Sequence, residues 1–135
     1  MRVLVVDDDF TSRRLMQHIL LPYADCDSAV NGREAVDAFQ HAWEQGRPYD
    51  LVCLDIMMPE MDGQQVLREI RSIEGSMNIN ALDGVKIIMT TALDNWGNVW
   101  GAFNGQCDGY LVKPYDKGRI IDELRSLGLV PPRVL

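Results

Sequence analysis

Short apolar runs alternate with amphipathic stretches along this chain. Residues 2–6, RVLVV, form the first run, and Asp7, Asp8 and Asp9 follow it at once. Thr11 or Ser12 is placed to cap a helix reaching about residue 20, with Leu15, Met16, Ile19 and Leu20 on one face and Pro22 beyond its end. A short strand is expected over 26–30, then a turn at Asn31-Gly32 and a helix over 34–44 carrying Val36, Phe39 and Trp43 at helical spacing. The run LVCLD at 51–55 reads as a strand buried on both faces, with one carboxylate, Asp55, at its end. Such a carboxylate either points at water or is the centre of a charged site. A helix over 64–73 turns Val66, Leu67, Ile70 and Ile73 inward, and a polar loop over 74–84 follows. Strands over 85–89 and 110–112 bracket a weaker helix over 95–104 that contains Gly97 and Gly101, and a last helix spans 116–127. Strand and helix alternating five times predict an α/β fold: a doubly wound parallel sheet with helices on both faces.

Length and charge narrow the class. The 135 residues suit one domain over 1–130 with a short tail at 131–135. A net charge of −7 argues against a nucleic-acid binder, which should be basic on at least one face, and against an anionic-membrane binder. No apolar run is long enough for a signal peptide or a membrane span, so a cytoplasmic location is expected. Cys26, Cys53 and Cys107 are odd in number and lack metal-ligand spacing, which fits reduced packing residues.

Open parallel sheets form their sites beyond the carboxyl ends of the strands. There the pattern gathers Asp7, Asp8 and Asp9 from the first strand, Asp55 from the third, Thr90 and Thr91 from the fourth, and Lys113 from the fifth. Crowded carboxylates raise one another's pKa unless a cation neutralises them, and an all-oxygen donor set suits Mg²⁺. A carboxylate can attack a phosphoryl group and hold it as an acyl phosphate, a transfer that needs positioning and charge neutralisation more than covalent help. The set is that of an aspartyl-phosphate site.

The segments VLVVDDD at 3–9, LDIMMPEMDG at 54–63, MTTA at 89–92 and GYLVKPY at 109–115 together resemble the CheY-like receiver domains of two-component response regulators, over essentially the whole chain. The resemblance implies a five-stranded sheet in the order 2-1-3-4-5, for which CheY itself is a standing example. It implies that Asp55 is phosphorylated, and that Mg²⁺, or Mn²⁺ in its place, is held by Asp8, Asp55 and the Met57 carbonyl, with Asp7 largely through water. Thr91 and Tyr110 would be the switch pair, Thr90 would face away, Lys113 would pair with the phosphoryl group, and Lys113-Pro114 would be a cis peptide. Asp9 would stand behind the metal ligands. The expected donor is a sensor histidine kinase or a histidine phosphotransfer protein, and the output a downstream protein target or a homodimer. His18 and His41 read as surface residues.

Three features depart from the family pattern. The loop over 74–84 is longer than usual and reads as a surface insertion. Met57 and Leu93, two residues after Asp55 and Thr91, are apolar where the family's hydrolytic water is flanked, which implies a long-lived phosphorylated state. Trp96, Val99, Trp100 and Phe103 form a stripe that suits core packing; as an exposed patch, Trp96, Val99 and Phe103 would join Tyr110 in an output surface. Two other functions compete. Asp7-Asp8-Asp9-Phe10-Thr11 also fits the D-x-D-x-T pattern of haloacid-dehalogenase-type phosphatases, with Asp7 as nucleophile. A phosphate-independent interaction module on the same fold is the other. No output domain follows Leu135, so action through binding or onward phosphoryl transfer is expected.

Overall fold

β1 (Arg2–Val6), β2 (Asp25–Ala29), β3 (Leu51–Asp55), β4 (Lys86–Ala92) and β5 (Gly109–Lys113) form one parallel sheet in the order β2-β1-β3-β4-β5. The structure is a computed structural model that describes residues 1–80, 83–92 and 107–131. The helix expected over 95–104, with Trp96, Val99 and Phe103, lies outside the described residues, as does Leu93.

Side chains alternate across a strand, so each buried strand supplies two cores. Leu4, Val6, Val52, Leu54, Ile87 and Met89 pack on one face against Val36 and Phe39 of α2 (Gly32–Glu44) and Val66, Leu67 and Ile70 of α3 (Gly63–Ser76). Val3, Val5, Leu51, Cys53, Ile88 and Leu111 pack on the other against Met16, Ile19 and Leu20 of α1 (Phe10–Leu20) and Ile120, Ile121 and Leu124 of α4 (Lys117–Ser126). The sheet is thus sandwiched between helix layers, and every residue of β3 is buried. β2 departs from the apolar pattern: Asp25, Asp27 and Ser28 are exposed, as the outermost position of the strand permits.

Several local expectations are corrected. Asp9, not Thr11 or Ser12, caps α1, because its extended backbone lets the carboxylate accept from Ser12 N at 2.8 Å. Leu15 is 45% exposed, since it falls one position off the buried stripe of Met16, Ile19 and Leu20. β4 continues through Ala92, so Thr90 and Thr91 lie inside the strand. The third helix runs on to Ser76, and Glu74, expected in the polar loop, is buried within it.

Glu74 tolerates burial because its charge is matched. Its carboxylate accepts from Arg71 Nη1 at 2.8 Å and from Val85 N at 2.6 Å. Arg71 also donates to the Val85 carbonyl at 2.8 Å and to Asp108 Oδ2 at 3.0 Å, and Asp108 Oδ2 accepts from Ile87 N at 2.8 Å. A side chain at Gly84 would push into the Glu74 carboxylate and Arg71 guanidinium, so it would disturb their pairing. This network ties α3, β4 and β5 together at the amino edge of the sheet, opposite the acidic end.

Candidate functional site

The chain reverses direction after β1 through three consecutive aspartates, and each does something different. Asp7 is buried and Asp8 is exposed, while Asp9 caps α1. Every polar atom of Asp7 has a partner. Its N–H donates to the Ala29 carbonyl at 3.2 Å. Its Oδ1 accepts from Asp9 N at 2.9 Å, its Oδ2 from Lys113 Nζ at 3.1 Å, and its carbonyl from Arg13 Nη1 at 2.8 Å. Hydrogen bonding to Ser12 holds the Asp9 carboxyl below the usual carboxylate range.

Asp55 closes β3, 6% exposed, with Met57 N donating to its Oδ1 at 3.3 Å. The turn beyond it is shaped by Gly63, whose N–H donates to the Ile56 carbonyl at 2.8 Å. A Cβ at Gly63 would strike the Asp55 carbonyl, so the Asp62-Gly63 pair brings the start of α3 against the turn that follows Asp55. Asp62 caps that helix in a reciprocal capping box with Gln65.

One carboxylate oxygen from each of Asp7, Asp8 and Asp55 lies within 4.8 Å of the others. Lys113 Nζ, 3.1 Å from Asp7 Oδ2 and 3.8 Å from Asp55 Oδ2, is the cation that the described residues set among them. Burial is the main reason the Asp55 carboxyl is pushed up to about 7; Lys113 pulls it down, and Asp7 and Asp8 push it up. A divalent cation would relieve that residual repulsion, and three hard oxygen donors at this spacing fit one.

Met57 is 51% exposed beside Asp55. Thr90 and Thr91 are both buried, and the Thr91 hydroxyl donates to the Ala92 carbonyl at 3.1 Å. Tyr110 is half-buried against the α2–α3 core, and the Lys113–Pro114 peptide is cis. His18 and His41 are exposed. Cys53 is buried, and burial pushes its thiol up to about 12. Sequence reasoning assigned no role to two neighbours of the site, although Tyr115 closes the GYLVKPY segment. Arg13 touches it through a backbone carbonyl, which no residue pattern reports. Tyr115 is half-buried, and burial together with Asp7, Asp55 and Asp9 pushes its phenol up.

The fold, with carboxylates and a lysine gathered at the carboxyl edge of a parallel sheet, defines a class of signalling domain, and comparison identifies it. The response regulator receiver domain model matches residues 3–125, so the chain belongs to that family, the CheY-like receivers of two-component signal transduction. It is 31% identical over 128 residues to the chemotaxis protein CheY of Thermotoga maritima, covering 93% of this chain and 96% of that protein. It is 35% identical over 128 residues to the transcriptional regulatory protein ResD of Bacillus subtilis, covering 93% of this chain but 47% of ResD, about half that relative's length. A CheX–CheY–BeF₃–Mg²⁺ complex from Borrelia burgdorferi matches with a TM-score of 0.77 at 28% identity, covering 95% of this chain and 89% of that chain. Among the described residues no helix is long and apolar enough to cross a membrane.

Proposed function

We propose that the chain accepts a phosphoryl group on Asp55 from the phosphohistidine of a sensor histidine kinase or a histidine phosphotransfer protein. The observation that carries this reading is the approach of the Asp7, Asp8 and Asp55 carboxylates to within 4.8 Å of one another, with Lys113 Nζ among them. A carboxylate oxygen of Asp55 attacks phosphorus, the P–N bond to the donor imidazole breaks, and an acyl phosphate remains. Asp7, Asp8, Asp55 and the Met57 carbonyl would hold Mg²⁺, which would supply neutralising charge to the phosphoryl oxygens. Lys113, already 3.8 Å from Asp55, supplies a second positive charge. The Borrelia relative in complex with BeF₃ and Mg²⁺ supports the reading.

The new group adds negative charge and acceptor oxygens at the end of β3. The Thr91 hydroxyl, which among the described residues donates to its neighbour's carbonyl, can turn toward them. Tyr110 on the adjacent strand then changes its packing, which biases an output surface that includes Trp96, Val99, Phe103 and Tyr110 toward a protein target or a second copy.

Intact mass after incubation with Mg²⁺ and acetyl phosphate, wild type beside Asp55→Asn, tests this. The expected result is a Mg²⁺-dependent gain of one phosphoryl group that Asp55→Asn abolishes. No gain favours a phosphate-independent module, and a gain that survives in Asp55→Asn moves the acceptor to Asp7.

A further inference from the structure

We infer that Arg13 is a positioning residue for the divalent cation: it sets the direction of the Asp8 carboxylate by holding the peptide between Asp7 and Asp8. The inference rests on the cation role proposed above for Asp7 and Asp8.

The β1–α1 turn must aim two adjacent carboxylates at one point while a third, Asp9, turns away to cap a helix. The side chain of Asp7 is pinned at both oxygens, by Asp9 N at 2.9 Å and Lys113 Nζ at 3.1 Å. Asp8 is exposed and has no hydrogen bond of its own among the described residues, so its direction comes from the peptide that precedes it. The carbonyl of that peptide belongs to Asp7, a buried residue, and accepts from Arg13 Nη1 at 2.8 Å. Without that donor a carbonyl on a buried residue loses its partner, and the peptide is released to turn its oxygen toward water.

Arg13 is itself held. Its backbone N–H donates to the Asp9 carbonyl at 3.0 Å in the first turn of α1. Its guanidinium carbon lies 5.5 Å from the centroid of the Phe10 ring, which is 65% exposed. Arg14 approaches the same ring at 6.0 Å, so the exposed Phe10 receives two guanidinium groups beside the acidic turn, Arg13 the nearer. Arg13 therefore links the Phe10 ring to the Asp7 carbonyl.

Two effects of Arg13 on a cation oppose each other. Its positive charge repels the ion, and its hydrogen bond aligns the ligands. Arg13 is half-exposed, so solvent and salt screen the repulsion. The hydrogen bond acts on the ligand backbone itself and is not screened in that way. Alignment therefore wins, and loss of the donor weakens cation binding.

Calorimetric titration of the full chain with MgCl₂, wild type beside Arg13→Met and Arg13→Lys, decides it. Met keeps an unbranched apolar stem over Phe10 and removes the donor; Lys keeps a donor and the charge. Arg13→Met is expected to weaken Mg²⁺ binding about fivefold, a typical hydrogen-bond contribution, and Arg13→Lys to stay within about twofold of wild type. In acetyl phosphate labelling, Arg13→Met is expected to need more Mg²⁺ and to reach the wild-type rate at saturation. Mg²⁺ binding by Arg13→Met as tight as or tighter than wild type overturns the inference alone, since repulsion would then dominate. A labelling rate that stays low at saturating Mg²⁺ also overturns it, because Arg13 would then act on the transfer. A wild type that takes up no Mg²⁺ overturns the cation reading and this inference together.

Discussion

Lys113 Nζ lies 3.1 Å from Asp7 Oδ2, so the last residue of β5 is paired with the carboxylate just beyond β1, across two intervening strands. Asp55 stands between them at 3.8 Å from the same ammonium and receives only part of its charge. Its carboxyl, pushed up to about 7, makes the metal-free fold sensitive to pH. The native state holds this proton between the ordinary aspartate value of about 4 and about 7, whereas the unfolded state has lost it. Stability should therefore fall as pH rises through that window, and the full cost is present above it. In EDTA, Asp55→Asn should raise the melting temperature at pH 8 and change it little at pH 4. Mg²⁺ should stabilise the wild type more at pH 8 than at pH 5.5. Thermal unfolding checks both, and an Asp55→Asn gain equal at the two pH values would contradict the assignment.

The buried Glu74 carboxylate takes Val85 N and Arg71 at the opposite edge of the sheet. Glu74→Ala leaves a backbone donor unmatched and one arm of Arg71 without its counter-charge. The expected loss is about 3 kcal/mol in urea unfolding, with Asp55 labelling unchanged where the chain remains folded. A loss under about 1 kcal/mol would show that water replaces the carboxylate at no real cost.

Glu60 is exposed with φ of 68°, a left-handed conformation that a side chain resists. Glycine relieves the strain and gives back part of the gain through the freer unfolded chain. Glu60→Gly should raise stability by about 0.5 kcal/mol, measured by urea unfolding beside the wild type.

Met57 is half-exposed beside Asp55 and offers no hydrogen bond from its side chain to a water attacking the acyl phosphate. The double variant Met57→Asn, Leu93→Glu supplies polar groups two residues after Asp55 and two after Thr91. Its acyl phosphate should decay faster than that of the wild type, as followed by loss of the phosphoryl mass after the donor is removed. Equal decay would mean that neither residue governs access of that water.

The sheet and the acidic end were legible because they depend on strong local signals. LVCLD can satisfy its apolar run only in a strand covered on both faces, and parallel topology brings the residues after each strand to one edge. What escaped depends on partners distant in sequence or on the backbone. Glu74 looks like a loop residue until Val85, eleven positions on, offers it an N–H. Thr11 and Ser12 are both good capping types, but Asp9 reaches Ser12 N first from the extended backbone after β1. Leu15 is apolar and near the right spacing, yet one position moves it about 100° around the helix and out to solvent.

β2 ends the sheet on one side with Asp25 and Asp27 exposed, and Arg2 and Tyr49 hold the Asp27 carboxylate at 2.8 and 2.6 Å. A second copy extending the sheet there would have to accommodate charged side chains on this outermost strand while matching main-chain hydrogen bonds. Charged side chains on an outermost strand disfavour edge-to-edge growth, so this border keeps separate copies from joining their sheets into a continuous ribbon.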